Sequence, residues 1–158
     1  MTASPASASP APPPGAAVLA ATRVAAHLRG EVERTVLEPA GVSWSAFAAL
    51  TAIADGPHEV RMHVVAAAMG TALGTARSAV ARLERLGLVS RSTPSHDHRQ
   101  VELIATEPGR QRAEQLRTAV AAVEARLIPD PRTRHVLCVV ADRVWPYPWR
   151  GHRQDRGA

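Results

Sequence analysis

Apolar positions recur every three or four residues over most of this chain, a helical period, and the pattern breaks at prolines. Pro39, Pro57, Pro94, Pro108, Pro129, Pro131, Pro146 and Pro148 leave helical windows near 16–38, 43–55, 61–69, 72–86, 107–127 and 132–145. None falls beyond the first turn of a window, where the missing amide would break the ladder. In the first window Val18, Ala21, Val24, Ala25, Leu28, Val32 and Val36 form one stripe, with Glu31, Glu33 and Arg34 outside it. The second opens on Ser43, whose hydroxyl suits a helix cap, and offers Trp44, Phe47, Leu50 and Ile53 to a core. The third carries Val64, Val65, Ala68 and Met69 into a tight turn at Gly70-Thr71.

From 72 to 86 the apolar residues are Leu73, Ala76, Val80, Leu83 and Leu86, which mark one buried face. Thr75, Ser78, Arg82 and Arg85 lie opposite, with Arg77 on the edge. Gly87 ends the helix because it takes the left-handed conformation at little cost. The period then falls to two. Val89–Thr93 and Gln100–Thr106 read as strands, with Val101, Leu103 and Ala105 on one face and a turn-rich tip, Pro94 to Arg99, between them. Residues near His58–Val60 supply a third strand. Thr106 then caps a helix with Glu107 and Pro108 in its first turn and a stripe of Ala113, Leu116, Val120, Val123 and Leu127. The last window, with Val136, Leu137, Val139, Val140 and Val144, is too apolar to stand alone.

Two short helices joined by a tight turn and followed by a hairpin outline a winged helix-turn-helix. The expected fold is mainly α with a small β-hairpin wing: a winged helix-turn-helix at about 43–106, and N- and C-terminal dimerisation helices at about 16–38, 107–127 and 132–145. Those terminal helices are more apolar than one small domain can cover, which points to a shared interface between two copies. Residues 1–15 hold prolines among Ala and Ser with no charge and read as a disordered tail; 146–158 read as a flexible basic tail.

Composition narrows the function. The 158 residues suit one domain, and an aromatic share of 3% rests the core on Ala, Val and Leu. Every basic residue is arginine, which reads as compositional bias before function. The net charge of +5 is unevenly spread: residues 16–60 are net acidic, while 77–112 and 143–158 are net basic, as a polyanion-binding face requires. The single cysteine, Cys138, excludes an intramolecular disulfide. No secretory leader and no membrane-spanning run is evident, so a cytoplasmic protein with no membrane partner is expected.

Gly70, the Arg82-Leu-Glu84 triplet, Gly87-Leu-Val89, Arg91, Asp97-x-Arg99 and Thr106-Glu-x-Gly109 fall in order and without a gap at the spacing of the MarR family of transcriptional regulators. The chain resembles that family from about Ala16 to about Val144. The resemblance implies a homodimer joined through its terminal helices, repression of a promoter, and release by a small-molecule effector. It also implies that the Asp-x-Arg pair holds the wing and reaches the minor groove.

The DNA-binding residues expected are Thr75, Arg77, Ser78, Arg82, Asp97 and Arg99. Arg77 suits paired hydrogen bonds to a guanine in the major groove. Arg99, steadied by Asp97, suits a narrow minor groove. Arg82 has a divided role, between phosphates and packing. Ala72 and Leu73 depart from the family, which often has a polar and a basic residue there; Thr71 is expected to take over as helix cap. That loss favours a rival reading, a winged-helix protein-interaction module that no longer binds DNA. An effector cleft is expected between the winged domain and the dimer helices, near Trp44 and Phe47, although such residues are more often plain core and are not named as a site. His96 and His98 flank Asp97, but alternate residues on a hairpin tip rarely close a metal site. Cys138, between Leu137 and Val139, reads as a small buried apolar residue. No catalytic motif stands out, so no enzyme, metal or cofactor is expected.

Overall fold

The computed structural model of the protein describes residues 13–56, 60–92 and 102–145. Helix α1 spans Ala16–Val32 and runs into a π-helical turn, Glu33–Leu37. Then follow α2 (Trp44–Asp55), β1 (Val60–Arg61), α3 (Met62–Met69), α4 (Leu73–Arg85), β2 (Val89–Ser92), β3 (Glu102–Ala105), α5 (Glu107–Leu127) and α6 (Pro131–Val144). All six helical windows expected from the sequence are occupied, and none of these helices is long and apolar enough on its own to cross a membrane.

The strands form one antiparallel sheet in the order β1-β3-β2, with Val60 opposite Leu103 and Val89 opposite Ala105. Leu103 and Ala105 face inward as the alternation predicts, and Val60 provides the expected third strand. Expected strand residues Thr93, Gln100 and Val101 lie outside the described residues, as does His58.

The core gathers where α2, α3, α4, α5 and the sheet meet, around the fully buried Leu37, Leu50, Leu83, Leu103, Val65 and Val80. Each such side chain contributes about 1.5–3 kcal/mol by leaving water. Ser43 caps α2 by accepting from the Ala46 amide, and Thr106 caps α5 by accepting from the Gly109 amide. Asp130, which sequence reading passed over, caps α6. The Thr133 hydroxyl, and then the Arg132 and Thr133 amides, hold its carboxyl below the usual carboxylate range.

Several expectations change. The π turn alters the phase of α1, so Leu37, five residues after Val32, joins it in the core while Val36 is only half-buried. Ala79 is buried on α4, whereas Leu73 and Leu86, at its ends, are exposed because the core does not reach that far. Leu50 and Ile53 are core, but Trp44 and Phe47 are half-buried at its margin, edge to face with centroids 6.0 Å apart. Cys138 is exposed, not buried, because α6 buries none of its residues against its own chain. The outer stripes of α1 and α6 are equally uncovered, with Val18 at 71% and Val144 at 77% exposure.

Candidate nucleic-acid interface

Helices α3 and α4 meet at 107°, within the range of a helix-turn-helix pair. Gly70 makes the turn, with its amide donating to Ala67 O and the Thr71 amide to Ala66 O. Ala76, Ala79, Val80 and Leu83 seat α4 on the core, which leaves Thr75, Arg77, Ser78, Arg82 and Arg85 exposed. Four of the expected DNA-binding residues therefore lie on the exposed surface of one helix. Arg77 makes no hydrogen bond or ion pair with any described residue. Ser78 Oγ donates back to Gly74 O at 3.1 Å, a bond it can exchange for one to a base or phosphate.

Two details differ from the sequence reading. The residue capping α4 is Ala72, with no side-chain hydrogen bond, so Thr71 does not take over as cap. Arg82 is turned back onto the protein, its Nη2 donating to Gly41 O at 3.1 Å. Asp97 and Arg99, with His96 and His98, lie outside the described residues.

The base of the wing is tied to α4 from two sides. Arg91 on β2 makes a two-pronged ion pair with Glu84 on α4, at 2.6 and 3.0 Å. Beneath the hairpin, Gly87 leaves α4 at φ 68 and Thr106 Oγ1 donates to its carbonyl at 2.7 Å. The Thr106 amide donates to Leu88 O at 3.1 Å, and the same Oγ1 accepts from Gly109. Gly109 packs so tightly that a Cβ there would stand 1.9 Å from Leu88 O. The end of α4, both strands and the start of α5 are thus knotted in one place, a physical reason for glycine and threonine at those positions. The ion pair of Glu84 with Arg91 and that of Arg117 with Asp55, at 2.7 Å between α5 and α2, were not foreseen. Opposite charges on different elements, whether seven or 62 residues apart, give no periodic signal.

Behind this surface lies an apolar cleft of about 450 Å³ between α1, α2, α5 and α6. Leu28, Val32, Trp44, Val123 and Leu137 line it, and Cys138 faces it. Arg29 stands over the Trp44 ring at 5.3 Å and pairs with Glu33, while Arg134 lies 3.8 Å from Glu124. The cleft falls where sequence reading expected it, with Trp44 in its wall and Phe47 outside it.

Comparison with known proteins places this arrangement. A model described as MarR family matches residues 40–100, which begin between the π-helical turn and α2 and extend past β2. No curated protein matches the chain. Among solved structures, a MarR family transcriptional regulator from Rhodococcus sp. RHA1 is 26% identical with a TM-score of 0.73, over 82% of this chain and 93% of that one. CouR from Rhodococcus jostii RHA1, bound to p-coumaroyl-CoA, is 25% identical with a TM-score of 0.72, over 83% and 93%. BpsR from Bordetella bronchiseptica, whose DNA binding is regulated by 6-hydroxynicotinic acid, shares the fold at 17% identity and a TM-score of 0.72, over 86% and 97%. With its helix-turn-helix, winged sheet and flanking helices, the chain is similar in fold and sequence to MarR family transcriptional regulators.

Proposed function

We propose that the protein is a homodimeric repressor that binds a pseudo-palindromic operator and leaves it when a small molecule binds. The observation that carries the reading is the free, polar outer face of α4: Thr75, Arg77 and Ser78 project from a helix whose opposite side is locked into the core. A helix so presented enters the major groove with its first turns toward the bases. Arg77, with no partner among the described residues, reads a guanine; Arg99, with Asp97 two residues before it in sequence, reaches the minor groove. The uncovered apolar stripes of α1 and α6 support pairing of two copies, which sets two recognition helices about one helical turn apart.

The apolar cleft is the effector site in this reading. Its walls suit a flat apolar body, and Arg29 and Arg134 at its edge suit an acidic group. CouR, of similar fold, binds p-coumaroyl-CoA.

Genomic fragments captured by the protein give the operator, and anisotropy titration of that duplex from 50 to 300 mM salt tests the reading. Tight binding that weakens steeply with salt is expected. The uncapped start of α4 at Ala72 favours a second reading, a protein-interaction module without DNA affinity. Weak binding, indifferent to salt and sequence, would decide for it.

A further inference from the structure

Two arginines from different helices meet at the end of α1. The helix and its π turn close in a Schellman pattern, with the Val42 amide donating to Leu37 O at 2.9 Å and the Gly41 amide to Glu38 O at 3.0 Å. The next carbonyls are taken by side chains. Arg112 on α5 donates from Nη2 to Ala40 O at 2.9 Å, and Arg82 on α4 donates from Nη2 to Gly41 O at 3.1 Å. Both are charged donors at the negative end of a helix dipole, the sign that the dipole favours. Adjacent peptide groups are gripped from two directions, by the recognition helix and by the longest helix of the fold.

We propose that Arg82 and Arg112 are positioning residues that hold the recognition helix at a fixed offset from α1 and α5. With its Nη2 committed to Gly41 O, Arg82 serves DNA binding through geometry in this proposal, and the salt dependence below separates that role from a phosphate contact. The inference rests on the dimeric operator reading above. In a two-fold dimer joined through the terminal helices, the offset of α4 from α1 and α5 fixes the distance between half-sites. The two bonds act in series, α5 to the turn and the turn to α4, so breaking either one releases the same constraint.

The test compares Arg82→Gln, Arg112→Gln and the double variant on a duplex selected by the wild-type protein. Matched duplexes have one base pair added or removed between the half-sites. Each single variant should bind the parent duplex about fivefold more weakly, as loss of one charge-assisted hydrogen bond allows. The double variant should bind no worse than either. All three should tolerate altered spacing better than the wild type, with an unchanged salt dependence. A fall of about one unit in the salt slope for Arg82→Gln alone would identify a phosphate contact and overturn the proposal. Wild-type spacing preference in either variant would overturn it as well. A wild-type protein that bound no duplex would defeat the operator reading itself. The clamp is then read from urea unfolding of the same three variants: coupled losses support it and additive losses overturn it.

Discussion

Replacing Gly109 with alanine tests whether the knot beneath the wing is as tight as its geometry requires. The new methyl group would stand 1.9 Å from Leu88 O, against an ordinary contact of about 3.4 Å or more, so the start of α5 must retreat by about 1.5 Å. The same carbonyl accepts from the Thr106 amide at 3.1 Å, and Thr106 Oγ1 holds Gly87 O at 2.7 Å. Opening the junction forfeits both bonds, about 0.5–1.5 kcal/mol each. Strain from overpacking adds about 1–3 kcal/mol. A loss of about 2–6 kcal/mol lowers the melting temperature by roughly 10 °C in a domain of this size. Far-UV circular dichroism during thermal and urea unfolding measures it. Gly30→Ala is the control: it sits in α1 with nothing near its missing Cβ, so alanine there should be neutral or stabilising. Should Gly109→Ala unfold within ~0.5 kcal/mol of the wild type, the packing argument for the Thr106-Glu-x-Gly109 motif is wrong.

Four further outcomes are expected. Arg77→Ala should relax preference at a single base position by about 1–3 kcal/mol, seen by titrating duplexes changed one base at a time. Arg99→Ala should weaken binding to every sequence alike and flatten the salt slope by roughly one unit. Val140→Asp, on the uncovered face of α6, should shift the protein from dimer to monomer in sedimentation velocity; an unchanged dimer would remove α6 from the interface. Glu31 links α1 to α5, and hydrogen bonds from Arg34 and then Arg126 hold its carboxyl below the ordinary value of 4.5. Its contribution is therefore present in full above about pH 4.5 and lost as pH falls through the lower folded value. The urea midpoints of wild type and Glu31→Gln should differ at pH 7 and converge toward pH 3.

Much of the fold was legible because its elements have strong local causes. Prolines marked the helix limits, Ser43 and Thr106 cap as their side chains predict, and Gly87 stops α4. The π turn was not legible: α1 has the pattern of an ordinary helix, and only packing decides that Leu37 and not Val36 enters the core. Cys138 was misplaced because apolar neighbours such as Leu137 mean burial only if something covers them, and no residue of α6 is fully buried. At the interface, periodicity separated the polar from the packed side of α4 correctly. It could not show that Arg82 bends back toward Gly41, a partner 41 residues away.

The positive charge presented by α4 belongs to guanidinium groups alone, and the sequence contains no lysine anywhere. Guanidinium stays protonated far above any pH a cell survives, and no ε-amine is available for acetylation. Lysine acetylation therefore cannot erase the charge of this face as it erases that of a lysine-rich one. What can change is where the charge sits, or what negative group is added beside it at Thr75 or Ser78.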